Sequence, residues 1–194
     1  MVSTVEDLES IVKEKMAVMK GSVHSFEHVK RVFEIATFLA KKEKADLELV
    51  QVGSLLHDIG WAMGKLHHET GAELTSKILK EINYPLERTE KIVRIVLRHP
   101  RDFRDKLETI EEKIVWDADK IDLLGVIGVA RAFHWLGNTP FSSVVERSFS
   151  ELKTIYSLLN TKTAKKIAKR RHNETLTFLL ALERELSLED LDLI

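Results

Sequence analysis

Hydrophobic residues recur every three or four positions along most of the chain, which is the spacing of one buried helix face. One such stripe contains Phe26, Val29 and Phe33, and another begins at Leu49. No segment alternates hydrophobic and polar residues as a half-buried strand does. The pattern therefore predicts an all-α fold.

Start and stop signals divide this pattern into eight predicted helices. Capping-box spacing marks the starts of the first and the sixth. The helices are predicted from Ser3 to Lys20, from Ser25 through Ala40, from Asp46 to Gly60, from about His67 to Ile82, from Pro85 to His99, from Thr109 to Trp135, from Ser143 to Leu159 and from Thr161 to Leu186. The sixth is a single long apolar helix, which the segment from Gly137 to Pro140 ends.

The chain contains no internal repeat, low-complexity stretch or long linker that would separate domains. We therefore expect one helical domain over residues 1–194. Its core is expected at about residues 20–137, and residues from about 141 to 194 are expected to form a helical extension packed on that core.

Charge and composition exclude several functions. The 30 Lys and Arg residues balance 31 Asp and Glu residues, so the chain lacks the basic excess of a protein that coats nucleic acid. It has no cysteine, which excludes disulfides, a thiolate nucleophile and cysteine-ligated zinc. The N-terminus has no apolar signal core, and no apolar run approaches the roughly 18 residues that span a bilayer. We expect a cytoplasmic protein without a membrane partner.

Four histidine and aspartate side chains are predicted to point inward from three helices. His57 and Asp58 end an apolar helix, and Gly53 one turn earlier leaves room for another helix to approach. His28 and Asp119 each lie over apolar positions of their own helices. Buried carboxylates are costly without a cation, and neutral imidazoles with carboxylates suit Mn, Fe, Co, Ni, Zn or Mg. The residues themselves leave two interpretations open, a divalent-metal site or hydrogen-bonded core histidines with salt-bridged aspartates.

Asp117 is predicted to lie outside this cluster. It faces Lys113 and Lys120 on its own helix and is interpreted as a salt-bridged residue. Its replacement is therefore expected to do much less than the replacement of Asp58. His68 and His134 are interpreted as ordinary surface or interface residues.

The order His28, His57-Asp58, Asp119 resembles the H…HD…D signature of the HD-domain superfamily of metal-dependent phosphohydrolases. The local sequences HVKRV at 28–32, LLHDIG at 55–60 and ADKID at 118–122 are similar to the family's segments. Residues 125–131 and 163–172 resemble a group of small HD hydrolases, so the resemblance covers about residues 20–186. Ser25 departs from the pattern, because the group often has Asp there; His24 and Glu27 are candidates to take part of its role.

The resemblance implies a helical HD domain that hydrolyses a phosphate ester or anhydride, with a nucleotide as the expected substrate class. His28, His57, Asp58 and Asp119 would bind the divalent ion. Asp58 is also a candidate to orient or deprotonate the attacking water. No organic cofactor is expected.

Two alternatives from other classes stay open. One is a non-catalytic module with a structural metal, which binds a nucleotide or nucleic acid through the basic run from Lys162 to Arg171. The other is a helical interaction protein whose histidines fill the core. The basic run is interpreted as a solvated helix face, and nucleic acid is not the expected partner.

His67 and His99 resemble segments that supply further ligands in binuclear HD proteins. If both reach inward, two ions could be bridged by Asp58. The alternative is one ion, with His67 and His99 contacting substrate, and this alternative is the prediction.

Four cations are candidates to stabilise phosphoryl oxygens. Arg31 lies one turn from His28, Lys65 lies in the loop after the HD pair, and Lys120 is next to Asp119. Arg131 lies about 18 Å beyond Asp119 if the helix is straight, within reach of the far end of a nucleotide.

Overall fold

The computed structural model describes residues 5–63, 67–135, 140–188 and 191. Within these ranges the chain forms helices and no strand, so the all-α prediction is confirmed. None of the described helices is long and apolar enough to cross a membrane. The α-helices in this part of the chain are α1 (Val5–Lys15), α2 (Phe26–Glu43), α3 (Leu47–Leu56), α4 (His67–Glu81), α5 (Leu86–Arg98), α6 (Ile110–Ile121), α7 (Gly125–Trp135), α8 (Phe141–Leu158) and α9 (Lys162–Leu186).

Short-range signals set several of these helix ends as predicted. The Asp46 side chain accepts a hydrogen bond from the Leu49 N–H at 3.1 Å and caps α3. The Thr109 hydroxyl accepts one from the Glu112 N–H at 3.2 Å and caps α6. The helix predicted to end at Gly60 ends earlier, at Leu56, and a short 3₁₀ turn over Ile59–Met63 follows it. The capping box predicted at Ser3 lies outside the described residues, and so do residues 137–139 of the break predicted from Gly137 to Pro140.

The single long helix predicted from Thr109 to Trp135 is wrong. The chain turns between α6 and α7, and Gly125 adopts a φ of +77°, a backbone conformation that favours glycine. Gly128 permits the turn as well, because a Cβ there would overlap the backbone of Leu123. The break was not predicted because the apolar pattern continues through it. Since Asp119 and Arg131 lie on different helices, the distance estimated for Arg131 along one straight helix does not apply.

The chain forms two compact units, which are described separately. The first contains residues 1–119 and 160–164, and the second contains residues 120–159 and 165–194. The assignment of one domain over 1–194 stays a prediction. In the second unit, Val129, Leu152 and Leu179 form a small buried cluster. The first unit has a larger core of buried residues from α1 to α5, including Val12, Met16, Val29, Phe33, Leu55, Leu56, Ile59, Leu79, Ile92 and Val96.

Small residues bring the helices of the first unit together. α3 packs against α1, α2 and α5, while α4 packs against α5 and the 3₁₀ turn at 59–63. A Cβ on Gly53 would lie 2.9 Å from the Ile95 side chain, so the predicted close approach at Gly53 is confirmed. A Cβ on Gly60 would overlap the backbone carbonyl of His67. The start of α4 therefore lies directly against the turn that follows the HD pair.

Gly60→Ala is expected to destabilise the first unit by about 3 kcal/mol, because backbone atoms rather than a movable side chain occupy the space. Urea unfolding in EDTA measures this effect. Gly71→Ala is the matched control, since its Cβ would meet the Val96 side chain at 3.3 Å and the chain can adjust. Equal losses of stability in the two variants would contradict this account of the packing.

Candidate metal centre

Three of the predicted ligands form a buried group that we call the first donor group: His28, His57 and Asp119. Their ligand atoms all lie within 4.8 Å of one another. The His28 Nε2 atom is 3.3 Å from the His57 Nε2 atom and 3.4 Å from the Asp119 Oδ1 atom. All three residues are buried, at 1%, 0% and 8% exposure. The structure thus brings together side chains from α2, the end of α3, and α6.

Two histidines are oriented by the ends of their own helices. His57 follows the last residue of α3, and its Nδ1–H donates to the Ser54 carbonyl at 2.8 Å. His99 follows α5, and its Nδ1–H donates to the Val96 carbonyl at 2.6 Å. Such carbonyls have no helical partner, so the bond satisfies them and fixes the ring. In a neutral imidazole the Nε2 atom then carries the lone pair, which is the arrangement of a metal-binding histidine.

The carboxylate of Asp58 contacts two sets of imidazoles. Its Oδ2 atom lies 3.4 Å from the His28 Nε2 atom and 3.6 Å from the His57 Nε2 atom. Its Oδ1 atom lies 3.3 Å from the His99 Nε2 atom. Asp58, His67 and His99 form the second donor group, with ligand atoms within 4.8 Å of one another. The two histidines that the sequence singled out for a second ion or a substrate therefore both reach Asp58.

These donors fit a divalent cation. The His57 Nδ1–H is used by the Ser54 carbonyl, so in the neutral ring the Nε2 lone pair faces an Asp58 oxygen at 3.6 Å, and two electron-rich atoms oppose each other. A cation between them satisfies both. Ligand atoms bound at about 2.0–2.1 Å lie about 2.8–3.4 Å apart in octahedral or tetrahedral geometry, which is close to the 3.3–3.4 Å separations given above for His28, His57 and Asp119, and for His99 with Asp58.

The electrostatics keep these side chains in the protonation states that bind metal. Burial lowers the pKa of His57 to about 4, and burial also lowers the pKa of His67 to about 4. Burial alone would raise the pKa of Asp58, but the adjacent His57 and His24 hold it well below its usual range. At neutral pH the two imidazoles are neutral and the carboxylate is ionised, as metal ligands must be.

The free energy of unfolding of the metal-free protein is expected to fall as the pH is lowered from 7.5 to 5.5. The unfolded chain protonates His57 and His67 near 6.5, whereas the folded protein does so only near 4. The unfolded state therefore binds more protons in this window, and stability decreases with falling pH. Urea unfolding in EDTA at several pH values measures the slope. His67→Gln should reduce the slope, and stability that rises towards pH 5.5 would contradict the assignment.

The sequence pointed only weakly to one residue of this site and missed another. The His24 Nδ1–H donates to the Asp58 Oδ2 atom at 2.8 Å, which fits the suggestion that His24 takes part of the role of the Asp replaced by Ser25. Trp61 stacks between the rings of His24 and His67. Nothing in the sequence marked Trp61 except its position three residues after Asp58.

The interpretation of Asp117 as a salt-bridged residue facing Lys113 and Lys120 is wrong. Asp117 is fully buried. Its carboxylate accepts hydrogen bonds at 2.8–2.9 Å from the backbone and side chain of Asn160 and of Thr161, just before α9. Burial raises the pKa of Asp117, and these four hydrogen bonds oppose the rise. Asp117 therefore joins α6 to the start of α9 within the first unit.

Asp117→Asn is expected to lower the free energy of unfolding by about 2–4 kcal/mol, because the new NH₂ group would face N–H and O–H donors and leave them unsatisfied. Asp105→Asn, at a side chain that is 86% exposed, is the control and should be close to neutral. Chemical unfolding measures both. If Asp117→Asn does not change the free energy of unfolding, the structural role proposed here for Asp117 is wrong.

The predicted phosphate-binding cations differ in burial and in the unit to which they belong. Arg31 is half-buried on α2 in the first unit. Lys120 is buried, and the Arg131 guanidinium donates to an Asp122 carboxylate oxygen at 2.8 Å within the second unit. Lys65 lies outside the described residues. Of the basic run, Arg171 donates to the Ile121 carbonyl, while Lys162, Lys165, Lys166, Lys169 and Arg170 are exposed. The functional roles of all these cations stay predictions.

The sequence model of the HD domain family matches residues 25–124, and the chain belongs to this family. The uncharacterised protein YpgQ of Bacillus subtilis is 31% identical over 180 residues, which is 86% of each chain. The predicted membership of the HD superfamily is therefore confirmed.

Solved structures share the fold over nearly the whole chain. The structure of Bacillus subtilis YpgQ in complex with ADP has a TM-score of 0.76 at 24% identity and covers 94% of this chain and 97% of that one. The Lin1889 protein of Listeria innocua has a TM-score of 0.74 at 29% identity, covering 95% and 98%. An HD-superfamily hydrolase from Bacillus thuringiensis has a TM-score of 0.72 at 25% identity, covering 94% and 96%. The protein therefore has the fold of the HD-superfamily hydrolases.

Proposed function

We propose that this protein is a metal-dependent phosphohydrolase that acts on a phosphate ester or anhydride, with a nucleotide as substrate. The observation that carries this proposal is the position of Asp58. One of its oxygens faces His28 and His57, and the other faces His99. A buried carboxylate shared between two imidazole groups suits a centre that holds divalent ions against a phosphoryl group.

We further propose that the centre holds two ions. The sequence favoured one ion, and the two-ion alternative required His67 and His99 to converge on Asp58. The second donor group meets this requirement. Both groups contain two imidazoles and a carboxylate, which favours Mn, Fe, Co, Ni or Zn over Mg. Metal analysis of protein purified without a histidine tag, after saturation with Mn or Zn, measures the number of ions.

The residues of this chain have distinct roles in the proposed reaction. A bound divalent ion lowers the pKa of a water ligand and polarises a phosphoryl oxygen. Asp58 joins the two groups and orients the attacking water, and the His24 hydrogen bond fixes one of its oxygens. The carbonyls at the ends of α3 and α5 fix the rings of His57 and His99, so the donors are positioned before substrate binds.

The substrate class is supported by a relative and by one cation of the same unit. YpgQ, at 31% identity, was crystallised with ADP. Arg31 lies one helical turn after His28 and is half-buried, so its guanidinium is the proposed contact for phosphoryl oxygens. Lys65, Lys120 and Arg131 remain further candidates for substrate contacts.

A phosphohydrolase panel tests the proposal. Nucleoside mono-, di- and triphosphates, cyclic dinucleotides and a chromogenic ester are each assayed with Mn, Ni, Co, Mg and Zn. We expect release of phosphate or pyrophosphate that EDTA abolishes. His57→Asn, prepared in parallel, is the control for contaminating phosphatases and should be inactive. Saturable nucleotide binding without turnover under any metal would favour the alternative of a non-catalytic module.

A further inference from the structure

The indole ring of Trp61 lies between two imidazole rings beside the second donor group. Its ring centroid is 4.3 Å from that of His24, with the planes 21° apart. The corresponding values for His67 are 4.2 Å and 11°. Both faces of the indole are therefore covered by nearly parallel imidazoles, and both of these imidazoles lie next to Asp58.

The His67 ring depends on this stack more than the other histidines do. Backbone carbonyls hold the Nδ1–H groups of His57 and His99. Among the described residues, His67 has no hydrogen-bond partner for its ring, which lies face to face with Trp61 and edge-on with His68 and His99. His67 is the first residue of α4. Flat packing on the indole is therefore what fixes the plane of the His67 ring.

The backbone of Trp61 is held close to that of Asp58. The Trp61 backbone N–H donates to the Asp58 backbone carbonyl at 3.1 Å, at the start of the 3₁₀ turn at 59–63. Gly60, in the same turn, lies against the backbone carbonyl of His67. An imidazole that binds a cation becomes electron-poor, and the electron-rich face of an indole stabilises such a ring. The stack should therefore become more favourable when an ion binds.

We propose that Trp61 is a positioning residue for the second donor group, holding the His67 imidazole towards Asp58 and His99 so that a divalent ion binds there. This inference rests on the two-ion centre of the proposed function, but it does not depend on which reaction that centre performs. If Trp61 has this role, loss of its aromatic face should weaken binding of the ion at the second donor group and leave the affinity of the first donor group for its ion unchanged.

Calorimetric titration with Zn tests this division. In Trp61→Leu we expect the first ion to bind with wild-type affinity and the second to bind about 10-fold or more weakly, which is the usual effect of losing a group that orients a ligand. Trp61→Phe keeps an aromatic face and should recover most of the affinity. Trp135→Leu, which removes an exposed tryptophan of the second unit, should change neither ion. Equal affinity for the second ion in wild type and Trp61→Leu would overturn the proposal.

A second measurement needs no disruptive variant. In wild-type protein labelled with 5-fluorotryptophan, the ¹⁹F resonance of Trp61 should shift when the second equivalent of Zn binds, and that of Trp135 should not. A Trp61 resonance that stays unchanged with both ions bound, or a wild type that binds only one ion, would overturn the proposal. Two bound ions without turnover on any substrate would instead contradict the proposed phosphohydrolase and leave the role of Trp61 intact.

Discussion

Asp58→Asn is expected to remove bound metal and to lower phosphohydrolase turnover by roughly 10³-fold. The substitution preserves the shape of the side chain but removes the negative charge that balances the cations. It also replaces an oxygen that faces either His28 or His99. Because this carboxylate belongs to the second donor group and also contacts histidines of the first, a single change should affect both ions. Metal analysis after dialysis and steady-state kinetics on the best substrate of the panel measure the two effects.

Asp117→Asn is the matched control for this experiment. Both aspartates are buried in the first unit, but only Asp58 contacts the histidines. We expect Asp117→Asn to lose stability while its folded fraction keeps metal, and Asp58→Asn to lose metal while the metal-free protein stays folded. Wild-type turnover in Asp58→Asn would refute the assignment of the centre. Dispensable Asp119 together with essential Asp117 would show that the ligand on α6 is misassigned.

His67→Ala and His99→Ala are expected to lower the metal content from two ions towards one, and to reduce turnover by roughly 10²-fold. Each removes one of the three donors of the second group, while the first group keeps His28, His57 and Asp119. The loss should appear in kcat, because an ion held by His67, His99 and Asp58 would stabilise charge that develops in the transition state. Metal analysis and the separation of kcat from KM measure these effects.

If the centre holds one ion, as the sequence favoured, the expected result for His67→Ala and His99→Ala is different. With a single ion, both variants keep one equivalent of metal and mainly raise KM, because the histidines then contact substrate. His68→Ala is the control, since His68 follows His67 on α4 but belongs to none of the donor groups found among the described residues. Metal-saturated crystals with two ions about 3.5–4 Å apart would decide for the two-ion centre.

The sequence predicted those parts of the fold and site that depend on residues close together in the chain. Asp46 caps α3 through a bond to the residue three positions later, and Thr109 caps α6 in the same way. The residue types and helical positions of His57 and Asp58 also indicated inward-facing metal donors, with His28 from another helix. Such signals act over one or two helical turns, so the sequence alone contains them.

Only the tertiary structure decided how segments far apart in the sequence meet. Asp117 binds Asn160, 43 residues later, and His24 binds Asp58, 34 residues later. Neither pairing leaves a periodic signal in the sequence, so Asp117 was misinterpreted. The stack of His24 and His67 on Trp61 was missed for the same reason, because its rings come from separate segments. The break between α6 and α7 was also missed, because an apolar pattern continues through it. The sequence thus determined the helices and the ligand types, whereas the packing of α3, α4 and α5 around small residues determined that His57, His67 and His99 converge on one carboxylate.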